Sequence, residues 1–167
     1  MKGYPPRFLN LLWTVCAAVL VTGLLLLPTT LVLRFELNIP WRLPADGRVL
    51  TAALHAGAAF VMLSVCGALW SIHMRAGWRR KRQRATGATL VLSMAGLGLT
   101  ALGVYYLGDS TLANLVALLH VVLGLLIGLP LGVHVFLARR QRRIGTAAAR
   151  NIANERESHL QTHFRRL

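Results

Sequence analysis

Four uninterrupted apolar stretches, roughly Phe8 to Leu33, Leu50 to Ile72, Ala85 to Leu107 and Leu112 to Leu137, run through the chain. Each has the ~20 residues that an α-helix needs to cross a bilayer, and core helices of soluble domains are rarely so long and so free of charge. The sequence therefore predicts an all-α fold: a four-helix transmembrane bundle over residues 1–140, with a basic tail over 141–167.

The formal charge of +14 first suggests nucleic acid, because basic domains neutralise phosphates. The placement of the charges argues against it. Arg75, Arg79, Arg80, Lys81, Arg82 and Arg84 follow the second apolar stretch, and Arg139, Arg140, Arg142 and Arg143 follow the fourth. Basic residues beside a span report orientation. With both termini cytoplasmic, these two runs join Lys2, Arg7, Arg150, Arg156, Arg165 and Arg166 on one side, sixteen of nineteen basic residues. Subtracting Glu155 and Glu157 leaves +14 there, while Glu36, Asp46 and Asp109 cancel Arg34, Arg42 and Arg48 on the other side. The expected partner is thus a membrane, the bacterial cytoplasmic membrane, and not nucleic acid.

The first stretch is expected to remain as a span, since its apolar run exceeds the roughly 7–15 residues of a secretory h-region. Cys16 and Cys66 lie inside apolar stretches without a CxxC neighbour and are expected to pack rather than bind metal. Pro5 and Pro6 hold the N-terminal tail out of the first helix, and Pro28 is placed to kink its far end. The segment from Arg34 to Arg48, with Pro40, Trp41 and Pro44, is an outer loop; Gly108, Asp109 and Ser110 form the outer turn between helices three and four. Helices two and four then run parallel. In the tail, Ile152, Leu160 and Phe164 are loosely spaced as on a surface helix or a disordered segment.

Four histidines fall in or beside the spans, and an ionisable side chain there is functional by default. His55 and His120 lie in the outer halves of helices two and four, and His73 and His134 lie at their inner ends. From His55 to His73 is 18 residues, about five turns, and from His120 to His134 is 14, within about 40° of one face. One stripe on each helix can therefore face the other. The axial spans differ, about 27 Å against about 21 Å, and tilt, stagger or a bend at Pro130 must absorb the roughly 6 Å mismatch. A bare transition metal would need its ligands to converge, whereas these divide into two groups. A proton relay would need acids within the spans, and there are none. Interhelical hydrogen bonds are the plainer reading of the same histidines.

Gly124 and Gly128, with Gly132, Gly57 and Gly67, provide room for a flat macrocycle, or equally for close helix approach. Arg75, Arg79 and Arg139, just past the inner histidines, are placed to pair with carboxylates of a bound group, or serve only to orient the spans.

The H-x13-H spacing of His120 and His134, with Gly124 and Gly128 between, resembles the small dihaem cytochromes b, in particular the formate dehydrogenase gamma and nickel–iron hydrogenase cytochrome b subunits. Those subunits draw a ligand from the first helix, which here has no histidine, and the interval from His55 to His73 is longer than theirs. Trp78 and Arg79 after His73 look like the Trp-Arg pair of short uncharacterised cytochrome b-like proteins. The resemblance covers about residues 8 to 140. It implies two haems b, an outer one on His55 and His120 and an inner one on His73 and His134. The propionates would lie near Arg75, Arg79 and Arg139, and the glycines Gly124 and Gly128 would lie against the rings. It implies electron transport with a quinone and a redox protein, or a larger respiratory or photosynthetic complex, as partners. A cofactor-free membrane scaffold subunit is the alternative expectation.

Overall fold

The computed structural model describes residues 5–164, with side chains at all of them except 71, 72 and 157–164. Lys2, Arg165 and Arg166 of the charge count lie outside the described residues. Everything described is helix or connecting turn, with no strand among the described residues. Helix α1 is Pro6–Phe35, α2 Ala45–Leu69, α3 Arg75–Arg79, α4 Arg84–Tyr106, α5 Ser110–Leu126 and α6 Gly128–Phe164; a π-helical turn, Trp70–Met74, joins α2 to α3. Four of these runs are long and apolar enough to cross a membrane: α1, α2, α4, and α5 continued into α6 as far as Arg156.

The helix ends follow from local chemistry. Pro6 opens α1, where its missing N–H is no loss. Glu36 closes it in the left-handed region at φ 54°, with the Leu37 N–H returning to the Leu31 carbonyl. The helix runs through Pro28 without interruption. At the start of α5, Asp109 accepts the Leu112 N–H at 2.7 Å, and so caps the helix that the outer turn leads into. Between α3 and α4 the chain reverses through Lys81 (φ 54°) and Gln83 (φ 48°), conformations that disfavour a side chain by about 1–2 kcal/mol each. Arg84 closes this turn. Its guanidinium donates twice to the Trp78 carbonyl, at 2.9 and 2.8 Å, and lies 5.0 Å from the centre of the Trp78 ring. One arginine of the first basic run therefore has a structural task besides its charge.

The fourth span is one continuous rod with a flaw. Ile127 bonds back to Leu123, and Leu131 to Ile127, so the ladder passes between α5 and α6. Pro130 cannot donate to the Leu126 carbonyl, and the regular helix is interrupted one turn before it. Beyond the apolar stretch α6 does not stop. Its 37 residues carry the tail as helix to Phe164, about 55 Å of continuous rod.

Helix α1 packs chiefly on α2, and α4 on α5; α4 also meets α6, and α1 touches α5. Glycines permit the tight approaches: a Cβ at Gly103 would lie 2.7 Å from Val116 Cγ1, and one at Gly96 would lie 3.2 Å from Leu123 Cδ1. Among the described residues the interior is thin, confined to Val15, Met62, Val65, Ala113 and Ala117 with Thr29 and Thr100, while Phe60, Leu92, Leu99 and many other large apolar side chains face outward. Outward apolar surface is what lipid covers. Helix α2 does not pack closely on α5 or α6; across that gap the histidines meet.

Candidate functional site

A threonine inside a membrane helix normally donates its hydroxyl proton to the carbonyl three or four residues back, which hides the polar group. Thr22 does so toward Ala18 at 2.6 Å, and Thr100 toward Gly96 at 2.8 Å. Each hydroxyl oxygen also lies 2.9 Å from a histidine Nδ1, Thr22 beside His55 and Thr100 beside His120. With its one proton already committed, the hydroxyl can only accept here, so Nδ1 must carry the hydrogen. In a neutral imidazole that leaves Nε2 as a bare lone pair, the form that binds a metal. The second bond thus fixes the tautomer of both histidines.

His55 and His120 face each other with ring centres 6.3 Å apart and planes at 80°. His73 and His134 do the same at 5.9 Å and 66°. Both expected pairs of histidines are thus brought near each other, one pair toward each end of the spans. Two imidazoles joined by an N–H···N bond of about 2.9 Å would have centres near 5.3 Å, whereas two nitrogens about 2.0–2.1 Å on either side of one metal would put them near 6.4 Å. The outer pair fits the second arrangement, and its tautomers leave no proton for the first. At 5.9 Å the inner pair lies between the two.

The inner pair is held differently. Thr86 lies 2.9 Å from His134 Nδ1, but its bond to its own helix, at the Gln83 carbonyl, stretches to 3.3 Å. The Gln83 amide, with its nitrogen turned toward His134, reaches both Nδ1 at 3.1 Å and the His134 carbonyl at 3.0 Å, and its oxygen accepts the Ala138 N–H at 2.9 Å. His73 has no such support: among the described residues no hydrogen bond reaches its ring, and it is exposed. It sits in the π-turn, where the Arg75 N–H reaches five residues back to the Trp70 carbonyl. A π-turn rises less per residue than α-helix and re-aims the side chains that follow. It therefore absorbs part of the axial mismatch that the spacing of His55 and His73 implies, and the flaw at Pro130 stands ready on the other helix.

The remaining expected residues divide. Gly124 faces α4, and a Cβ there would make only ordinary contact, 3.9 Å from Leu97 Cδ2. Gly128 has open space beside it, as do Gly132, Gly57 and Gly67. Gly128, Gly132 and Arg139 line a cleft of about 380 Å³ with Trp13, Leu131, Val135 and Phe136. Arg75 and Arg79 are exposed on α3. Spacing alone did not reveal Thr22, Thr86, Thr100, Gln83 or Gly23. Gly23 is a matter of room: a Cβ there would come within 3.1 Å of His55 Cε1.

Among the described residues no group of three or more His, Cys, Asp or Glu side chains converges. Two facing nitrogens are too few for a bare ion held by protein alone, but they complete a metal whose other positions are filled by a planar macrocycle. Among the described residues few close contacts join α2 to α5 or α6. No protein-family model matches this chain, and no curated protein or solved structure is significantly similar to it.

Proposed function

We propose that this chain is a membrane dihaem cytochrome b that carries single electrons between a quinone pool and a redox partner protein or complex. The observation that carries the reading is the outer pair: rings 6.3 Å apart, each with Nδ1 hydrogen-bonded to a threonine that can only accept. When bound there, haem iron supplies a one-electron couple, and the protein sets its potential through the axial imidazoles and their hydrogen bonds. His55 and His120 hold the outer group, and His73 and His134 the inner one. Arg75, Arg79 and Arg139 sit on the inner side as cations suited to propionates, and among the described residues none of them bonds to an acid. The location is the bacterial cytoplasmic membrane with both termini inside, which the charge distribution supports.

A pyridine haemochrome assay on the purified protein tests the reading, with two haems b per chain expected. His55→Ala or His120→Ala should each remove one haem, and His134→Ala the other. A purified, folded chain with no haem b would leave the cofactor-free scaffold standing in its place.

A further inference from the structure

Gly128, Gly132 and Arg139 lie on one face of α6, and with Trp13 of α1 they line the cleft of about 380 Å³. At about 100° per residue that face is turned by roughly 130° from His134, so the cleft is separate from the histidine pairs. It is open space rather than helix packing, because a Cβ added at Gly128 or Gly132 would meet nothing within 4 Å. From Gly128 to Arg139 the helix rises about 16 Å, close to the roughly 15 Å of hydrocarbon in one leaflet. Along that length the walls are apolar, and the cation comes at the end. No acid is there to neutralise it. Glu155, the next acid along α6, lies about 24 Å farther on, and Glu36, Asp46 and Asp109 sit at the opposite ends of the spans.

We propose that this cleft seats one acyl chain of an anionic phospholipid from the leaflet on the arginine side, with the lipid phosphate on Arg139. A guanidinium offers a phosphate two parallel N–H bonds, and basic pockets between membrane helices on the arginine-rich side suit anionic headgroups. The charge selects the lipid. A zwitterionic headgroup brings its own cation to the phosphate, whereas an anionic one leaves the phosphate to Arg139. Free phosphate would leave the apolar walls uncovered. Trp13, two turns inside the start of α1, is of the type that settles at the boundary between chains and headgroups. Helices α1 and α6 share few close contacts, so the chain fills a seam that the protein scarcely closes by itself. Arg139 is turned about 140° from His134 and serves this cleft whatever the histidines hold, which leaves Arg75 and Arg79 for the propionates of the dihaem reading.

Native mass spectrometry of the full chain, released from detergent and titrated with dioleoylphosphatidylglycerol against dioleoylphosphatidylcholine, provides the test. One phosphatidylglycerol per chain should be held in preference to phosphatidylcholine, and Arg139→Gln should weaken it by about fivefold, roughly what one arginine contributes at headgroup level. Arg140→Gln removes the same charge at the same depth but about 100° round the helix, and should leave the bound lipid unchanged. Gly132→Leu fills the cleft without altering the charge and should displace the lipid. Equal losses for Arg139→Gln and Arg140→Gln would mean diffuse attraction and overturn the proposal. So would equal retention of the two lipids, retention in Gly132→Leu, or displacement by inorganic phosphate or by ubiquinone-2. Haem content by haemochrome is a separate measurement, so failure of the lipid seat leaves the dihaem reading standing, and absence of haem leaves the lipid seat standing.

Discussion

Thr22 and Thr100 each use one oxygen for two purposes: the proton satisfies a backbone carbonyl, and a lone pair orients an imidazole. Valine has nearly the same shape and lacks the acceptor, so Thr22→Val or Thr100→Val should leave the helix intact and release Nδ1. Loss of such an outer partner typically weakens a metal site by about 10–100-fold and makes the ligand less basic. On the dihaem reading, the outer haem should then be lost more readily to apomyoglobin, and its midpoint potential should rise in a redox titration. Thr14→Val, at an exposed position on α1, should change neither. The ring planes make a second prediction. On the dihaem reading, imidazoles crossed at 80° and 66° would act on a bound iron along directions far from parallel, so that neither of two d orbitals would be strongly favoured. The oxidised protein should give strongly anisotropic low-spin electron paramagnetic resonance signals with one large g value; an ordinary rhombic low-spin spectrum, as parallel ring planes give, would contradict the ring geometry. Thr22 shows why the site was only half legible in sequence. A histidine in an apolar stretch stands out because it is costly there, whereas threonine back-bonded to its own helix is common and carries no mark of a second role.

At the level of the helices, the four spans were readable because length and hydropathy decide them, and the observed bounds depart from the expected ones by a few residues at most ends. The exceptions are the second span, where α2 begins five residues earlier than the apolar stretch, and the tail, where α6 simply continues. The π-turn had no visible signal, since nothing in Trp70 to Met74 forbids regular α-helix. Helix contacts offer a direct test. Gly103→Ala places a methyl group 2.7 Å from Val116 Cγ1, where α4 and α5 must part slightly, at a cost of about 1–3 kcal/mol. Gly57→Ala meets nothing within 4 Å and gains about 0.5–1 kcal/mol of helix stability. Thermal unfolding in detergent should show opposite shifts for the two. Equal shifts would mean that α4 and α5 do not meet at Gly103.

On the scale of the whole molecule, the two ends of the bundle are chemically unlike. The face carrying α3 and the start of the α6 extension gathers arginines, and the opposite face carries Arg34, Arg42 and Arg48 against Glu36, Asp46 and Asp109. Arg34 also donates to the Val104 carbonyl at 3.4 Å, tying α1 to α4 at that rim. Because retained cations fix orientation during insertion, the arginine-rich face should be cytoplasmic. A long helix rising from it then presents Arg139, Arg140, Arg142 and Arg143 at the level of anionic headgroups, each worth about 1 kcal/mol there. Cysteine labelling distinguishes the two orientations. With Cys16 and Cys66 replaced by serine, Asn38→Cys in the loop before α2 should react with a membrane-impermeant maleimide on intact cells. Thr146→Cys on the extension should react only after the membrane is opened. Labelling of Thr146→Cys in intact cells would invert the molecule, and the pair built on His55 and His120 would then be the cytoplasmic one.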